Sequence, residues 1–174
     1  LLVFSGRFPR FAGLVCAAIL GFACAAAAPA GVPPAGQPVD GIRCDQMESS
    51  VFHIHQHLAL YDGGKPVAVP SDVGRPLVGG CLYWLHTHSP DGIIHVESPV
   101  FRSFTLGQFF DIWGEPLGPS LAGPVRAKGK LTVFVNGHRY DGNPRSIELA
   151  QHTEIVIENA PPLVTPPPVD WQGQ

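Results

Sequence analysis

The chain has 174 residues, with 11 Lys and Arg against 14 Asp and Glu and a formal net charge of −3. That length suits one ordinary domain with room for removable segments. A mildly acidic chain without a basic cluster is not built to bind nucleic acid or anionic lipid through positive charge.

Residues 1–30 have the order of a secretory signal peptide. Arg7 and Arg10 come first, an apolar run extends from Phe11 to Cys24, and small residues follow from Ala25 to Ala30. The run is shorter than the ~20 residues that span a bilayer, so cleavage near Ala28 or Ala30 is expected rather than a membrane anchor. The mature chain is then expected to be soluble and periplasmic or extracellular, with no membrane contact after cleavage. Cys16 and Cys24 depart with the leader, leaving Cys44 and Cys81. Two cysteines in an oxidising compartment predict one disulfide, with thiolate metal ligation as the competing reading.

Residues 31–48, with Pro33, Pro34 and Pro38, read as a linker and lead-in segment. The folded part is expected over 49–160 as a metal-binding β domain. Residues 161–174, with Pro161, Pro162 and the run Pro166 to Pro168, read as an extended Pro-rich tail.

From Val51 to Tyr61 the chain alternates. Phe52, Ile54, Leu58 and Leu60 fall on one side with Gln56 as the polar intruder, and His53, His55 and His57 fall on the other. An apolar side opposite a histidine side is the pattern of a strand packed on one face. Asp62-Gly63-Gly64 supplies a turn, and Pro66 to Val69 returns as an edge strand. Leu82 to His88 and Ile93 to Val96 flank Ser89-Pro90-Asp91-Gly92 as a hairpin. If the loop is the four residues 89–92, His86 faces His95, and His86, His88, His95 and Glu97 share one side. A three-residue loop with a bulge would send His95 to the other side.

Thr105 with Gln108 has the form of a capping box, and Leu106, Phe109, Phe110 and Trp113 follow at helical spacing until Gly114 and Pro116 stop the helix. Leu131 to Val135, Asn136-Gly137 and His138 to Tyr140 predict a two-residue hairpin, and Ile155 to Ile157 a last strand. The expected fold is therefore mostly β, a single antiparallel β-sandwich or barrel-like domain with one short helix.

Six of the eight histidines lie between residues 53 and 95. Neutral imidazole is a common ligand for zinc and copper, which makes His53, His55, His57, His86, His88 and His95 the candidate metal ligands. Strand rise separates His53 from His57 by roughly 13 Å, so the two cannot readily serve one ion. The expected arrangement takes two ligands from one strand and one or two from the other, in a mononuclear or dinuclear site. With Met47 the only methionine and the cysteines expected to pair, the cofactor is read as copper(II) or zinc(II). Glu97, two residues from His95, is a candidate ligand, hydrogen-bond acceptor or general base. His138 and His152 stand alone and are read as solvated.

The stretch from Cys81 through Trp84-Leu85-His86-Thr87-His88 and Gly92-Ile93-Ile94-His95-Val96-Glu97-Ser98-Pro99 to Trp113 resembles a group of exported bacterial and archaeal proteins of unassigned function that also carry an HxHxH segment. The resemblance covers most of residues 50–115 and implies a common site without naming its chemistry. Three readings of function follow. The protein is a metalloenzyme acting on a small molecule, a periplasmic metal-handling protein, or a secreted interaction module with a pH-sensitive histidine face.

Overall fold

The computed structural model describes residues 1–2, 36–77, 79–171 and 173. The signal-peptide reading of residues 3–30, with Cys16 and Cys24, and the first part of the linker lie outside the described residues. In chain order the elements are β1 (Cys44–Asp45), β2 (Phe52–Asp62), β3 (Lys65–Val67), β4 (Leu82–Tyr83), β5 (Leu85–His86), β6 (Ile93–Ser98), α1 (Leu106–Trp113), β7 (Leu117–Gly118), β8 (Leu121–Ala122), β9 (Val125–Arg126), β10 (Thr132–Val135), β11 (His138–Arg139), a 3-10 turn at Pro144–Ser146, and β12 (Glu154–Asn159).

The main sheet runs β11-β10-β12-β2-β6-β5, with β3 also paired to β2. Two small antiparallel sheets, β1-β4 and β7-β8-β9, accompany it. The fold is thus mostly β and mostly antiparallel, with one short helix, as the alternation and turn residues predict. It is sandwich-like, and its sheets do not close into a barrel. One pairing departs from the antiparallel pattern: β12 lies parallel to β2, with Ile155 beside Leu58 and Ile157 beside Leu60. No local turn signal announces a pairing between segments nearly a hundred residues apart. The small meander β7-β8-β9 was likewise not foreseen.

Register divides the side chains of the sheet between two faces. Ile54, Leu58 and Leu60 of β2, Ile94 and Val96 of β6, Leu85 of β5, and Ile155 and Ile157 of β12 share one face. They belong to one core with Phe104, Leu106, Phe109, Phe110 and Ile112 from the helix and its approach. Full burial of such side chains contributes about 1.5–3 kcal/mol each. Gln56 sits on this face at 0 % exposure with neither amide atom partnered among the described residues, and nothing in the structure explains it.

The helix is held at both ends. Thr105 accepts from the backbone N–H of Gln108, whose side chain accepts in return from the Thr105 N–H. Gly114 then ends the helix at φ +75°, a left-handed conformation that glycine adopts without strain. The expected Leu82–His88 strand is broken at Trp84, because β4 pairs with β1 whereas β5 pairs with β6, so the chain changes sheets there. Asn136 and Gly137 both have positive φ, as a two-residue hairpin turn requires.

The other face of the sheet carries the histidines at one end and the proline-rich tail at the other. The Val164 N–H donates to Glu158 Oε2 at 2.9 Å, and Pro162 packs over Gly64. Pro166 and Pro167 lie beside His57, Leu58 and Tyr61 across a shallow depression. The Trp171 ring stacks on His152 at 4.5 Å between centroids. The tail is extended, as its prolines predict, and it lies against the domain.

Cys44 and Cys81 form the expected disulfide, bridging 37 positions of sequence. Closing a loop of that length removes entropy from the unfolded chain worth about 3–4 kcal/mol. Cys44→Ala with Cys81→Ala should therefore lower the unfolding free energy by about that amount in urea titrations, and a loss under about 1 kcal/mol would show that the bridge constrains little.

Candidate metal centre

The hairpin at Ser89 to Gly92 takes the four-residue register: Leu85 pairs with Val96, and His86 with His95. Asp91 sets the turn, with one carboxylate oxygen accepting from the Ile93 N–H at 2.9 Å and the other from the Ser89 hydroxyl at 2.6 Å. Gly92 has φ +83°, and a side chain there would run into the Leu58 carbonyl of the neighbouring strand. Gly74 makes a similar close approach, against the Leu85 carbonyl and the Cβ of His86.

On its other side β6 pairs with β2, aligning His55 with His95 and His53 with Glu97. His55, His95 and His86 therefore stand in a row across three adjacent strands. Ring centroids are 4.6 Å apart for His55 and His95, and 5.5 Å for His86 and His95. These separations are close to the ~4.8 Å spacing of paired strands. Two groups of donors result, each with its ligand atoms within 4.8 Å of one another: His86, His88, His95 and Glu97, and His53, His55 and His95. Both could hold a metal ion.

His57 stands apart from both groups. Its Nε2 lies 3.1 Å from the Asp91 carbonyl, to which it donates. His138, at the start of β11, is solvent-exposed, as expected, and His152 is exposed and stacked on Trp171. The sequence reading did not include Arg75, Glu48 or Gln151. Arg75 lies 3.3 Å from His88 Nδ1, Glu48 Oε1 lies 3.8 Å from His88 Nε2, and Gln151 accepts from the His55 N–H at 2.8 Å. They come from segments with no motif of their own, and only the acidity of Glu48 and the charge of Arg75 marked them.

Hydrogen bonding decides which nitrogens are available. His86 is fully buried, with Nδ1 at 2.9 Å from the Tyr83 carbonyl. A carbonyl only accepts, so Nδ1 carries the proton and Nε2 presents its lone pair to the cluster. His88 is held in the opposite sense, because the Arg75 guanidinium can only donate to its Nδ1. Its Nε2 therefore carries the proton in the metal-free protein and donates to His86 Nε2 at 3.2 Å. An ion with metal–nitrogen bonds of about 2.0–2.1 Å would bind two nitrogens at that separation with an angle of roughly 100°, once the His88 proton has moved from Nε2 to Nδ1 and the Arg75 hydrogen bond has been given up.

Burial sets the charge of the cluster. Desolvation lowers the pKa of His55 and His86 to about 4 and that of His95 to about 3, with neighbouring imidazoles adding to the effect. These rings are neutral at neutral pH, the form that ligates. Glu97, at 5 % exposure, is pushed up to about 7, chiefly by burial and then by the charge of Glu48. Its Oε1 lies 3.2 Å from His53 Nε2, 3.7 Å from His95 Nδ1 and 3.9 Å from His86 Nε2. Among the described residues this buried carboxylate has only imidazoles within salt-bridge reach and so lacks a counter-charge, which costs several kcal/mol and which a cation would supply. The Nδ1 atoms of His55 and His95 are buried without a hydrogen-bond partner among the described residues. The donor set of imidazoles and one carboxylate, with buried ring nitrogens that lack partners among the described residues, fits a divalent ion.

Compared with known proteins, the chain matches no family model, no curated protein and no solved structure at a significant level. Among the described residues no helix is long and apolar enough to cross a membrane.

The shifts give a signed pH dependence for the metal-free protein. His55, His86 and His95 have folded values below the unfolded value near 6.5, so stability falls as pH drops below about 6.5 and continues to fall towards 3. Glu97 opposes this, because its folded value exceeds the unfolded one and its contribution rises as pH drops from about 7 to 4.5. Glu97→Gln should make the decline between pH 7 and 5 steeper in urea titrations of chelator-treated protein. An unchanged slope would place the Glu97 carboxyl outside the titrating set.

Proposed function

We propose that this protein is an exported metal-binding protein that holds divalent copper or zinc on the histidine face of its sheet. The observation that carries the reading is the four-residue hairpin register, which gathers His86, His88, His95 and Glu97 with ligand atoms within 4.8 Å of one another. Support comes from the carbonyl that fixes the tautomer of His86 and from the buried ring nitrogens without partners. Outer hydrogen bonds of this kind orient ligating imidazoles and raise their basicity.

The choice of metal rests on the donors. Cys44 and Cys81 are joined in a disulfide, and Met47 is exposed and remote in character from an imidazole and carboxylate set. Such a set suits copper(II) or zinc(II) better than copper(I), which favours sulfur. The disulfide fits an oxidising compartment, and with the leader-like order of residues 1–30 it favours export.

His53 and His88 are partly exposed, with side chains 42 % and 36 % accessible, whereas Glu97 and His86 are buried beneath them. The centre opens to solvent along that side, which favours an exchangeable position over a closed structural site. An ion with an open position can acidify bound water, so small-molecule chemistry is within reach of this arrangement. A face that switches with pH is the weaker reading, since burial holds His55, His86 and His95 far below the physiological range.

Untagged protein loaded with zinc(II) or copper(II) and dialysed should retain at least one ion per chain by elemental analysis. His86→Ala with His88→Ala should retain at least one fewer. Metal at 100 times its dissociation constant should stabilise the fold by about 2.7 kcal/mol, reversibly on adding chelator. Substoichiometric metal in the wild type, or equal metal in the variant, would defeat the reading.

A further inference from the structure

Two donor groups lie on one face, and they have a single residue in common. His86 and His88 follow from one side of β6, His53 and His55 from the other, and His95 stands on β6 between them. The outer pairs are two strand spacings apart, roughly 9–10 Å between backbones. Their donor atoms do not fall into one mutually close set, so a single ion cannot collect them all.

We propose that the face holds two divalent ions side by side, one on His86, His88 and Glu97, the other on His53 and His55, with His95 ligating both. The proposal rests on the metal-binding reading above and adds its stoichiometry and its bridging residue. Three observations carry it. One ion at the His86 group would leave His55 Nδ1, on a residue only 6 % exposed, buried without a partner; a second ion gives that ring one. The Glu97 carboxylate is placed between the groups, its Oε1 within 4 Å of nitrogens on His53, His95 and His86, so one negative charge faces both ions and offsets their repulsion. Glu48, 3.8 Å from His88 Nε2, adds a second carboxylate at the rim.

Sharing His95 has a chemical consequence. Each ring nitrogen has one lone pair in the ring plane, so serving two ions occupies both nitrogens. As the second ion binds, the remaining N–H bond of His95 breaks and its proton passes to solvent, leaving an imidazolate between the ions. No electron is transferred and no further reactant is needed.

Stoichiometry tests this directly. Zinc(II)-loaded, dialysed wild-type protein should contain two ions per chain. His53→Ala, a substitution at a half-exposed position that should leave the circular dichroism unchanged, should retain one, and so should His86→Ala with His88→Ala. His57→Ala, outside both groups, should retain two. In the copper(II) form the ions should couple through His95, so the integrated paramagnetic resonance signal should fall below the copper content in the wild type and equal it in His53→Ala. One ion per chain in the wild type, or two in a folded His53→Ala variant, would overturn the two-ion centre while leaving metal binding intact. Two ions with a full spin count would overturn the place of His95 between them. A wild type that binds no ion would overturn the metal-binding reading itself.

Discussion

Three imidazoles from three neighbouring strands stand in register, His55 against His95 against His86, and everything else at the site follows from that alignment. A sheet fixes side-chain positions on a lattice, about 4.8 Å between strands and nearly 7 Å between alternate residues along one. Histidine at alternate positions on adjacent strands therefore fills neighbouring lattice points. A slip of one residue in either pairing would move one row of rings to the apolar face. The turn at Asp91 and Gly92 and the disulfide ahead of β4 are the local devices that oppose such a slip.

The same lattice explains the electrostatics. The histidine face lies close enough to the core to be desolvated, and desolvation selects the uncharged form of each ring. Rings held uncharged can crowd at centroid separations of 4.3–5.5 Å without the repulsion that imidazolium ions would suffer. The cost falls on the one acid in their midst. Glu97 is paired with His53 across the strands, and among the described residues its carboxyl has no basic partner within salt-bridge reach apart from the imidazoles. A site so arranged is tolerable when neutral and favourable when it receives a cation.

Much of this was legible in the residues because strand geometry is periodic. The alternation from Phe52 to Leu60 assigned His53 and His55 to one face, and counting across Ser89 to Gly92 offered two registers with opposite fates for His95. The capping residues Thr105 and Gln108 and the turn Asn136-Gly137 carry local physics that needs no tertiary context. What the sequence could not convey was long-range. Nothing near Ile155 says that it will lie parallel to Leu58, or that Arg75 will reach His88, because such contacts depend on how distant segments close. His57 shares the periodicity of His53 and His55, but the Asp91 carbonyl from the hairpin tip engages its ring, a diversion visible only once β2 and the tip are side by side.

The parallel pairing of β12 with β2 bears on how the protein is made. At a synthesis rate of 5–20 residues per second, the chain would emerge as far as Glu154 about 5–20 s after His57, its partner in that pairing. Until then one flank of the central strand is unpaired, and the backbone of His55 lacks the partners that Gln151 and His152 supply. The strands that space the imidazoles, β2, β6 and β5, all precede β12, so the histidine array can pair while one flank of β2 is still open. Metal met at that stage would encounter His55 on a strand with one flank open, whereas metal met after closure encounters it with its backbone held by Gln151 and His152.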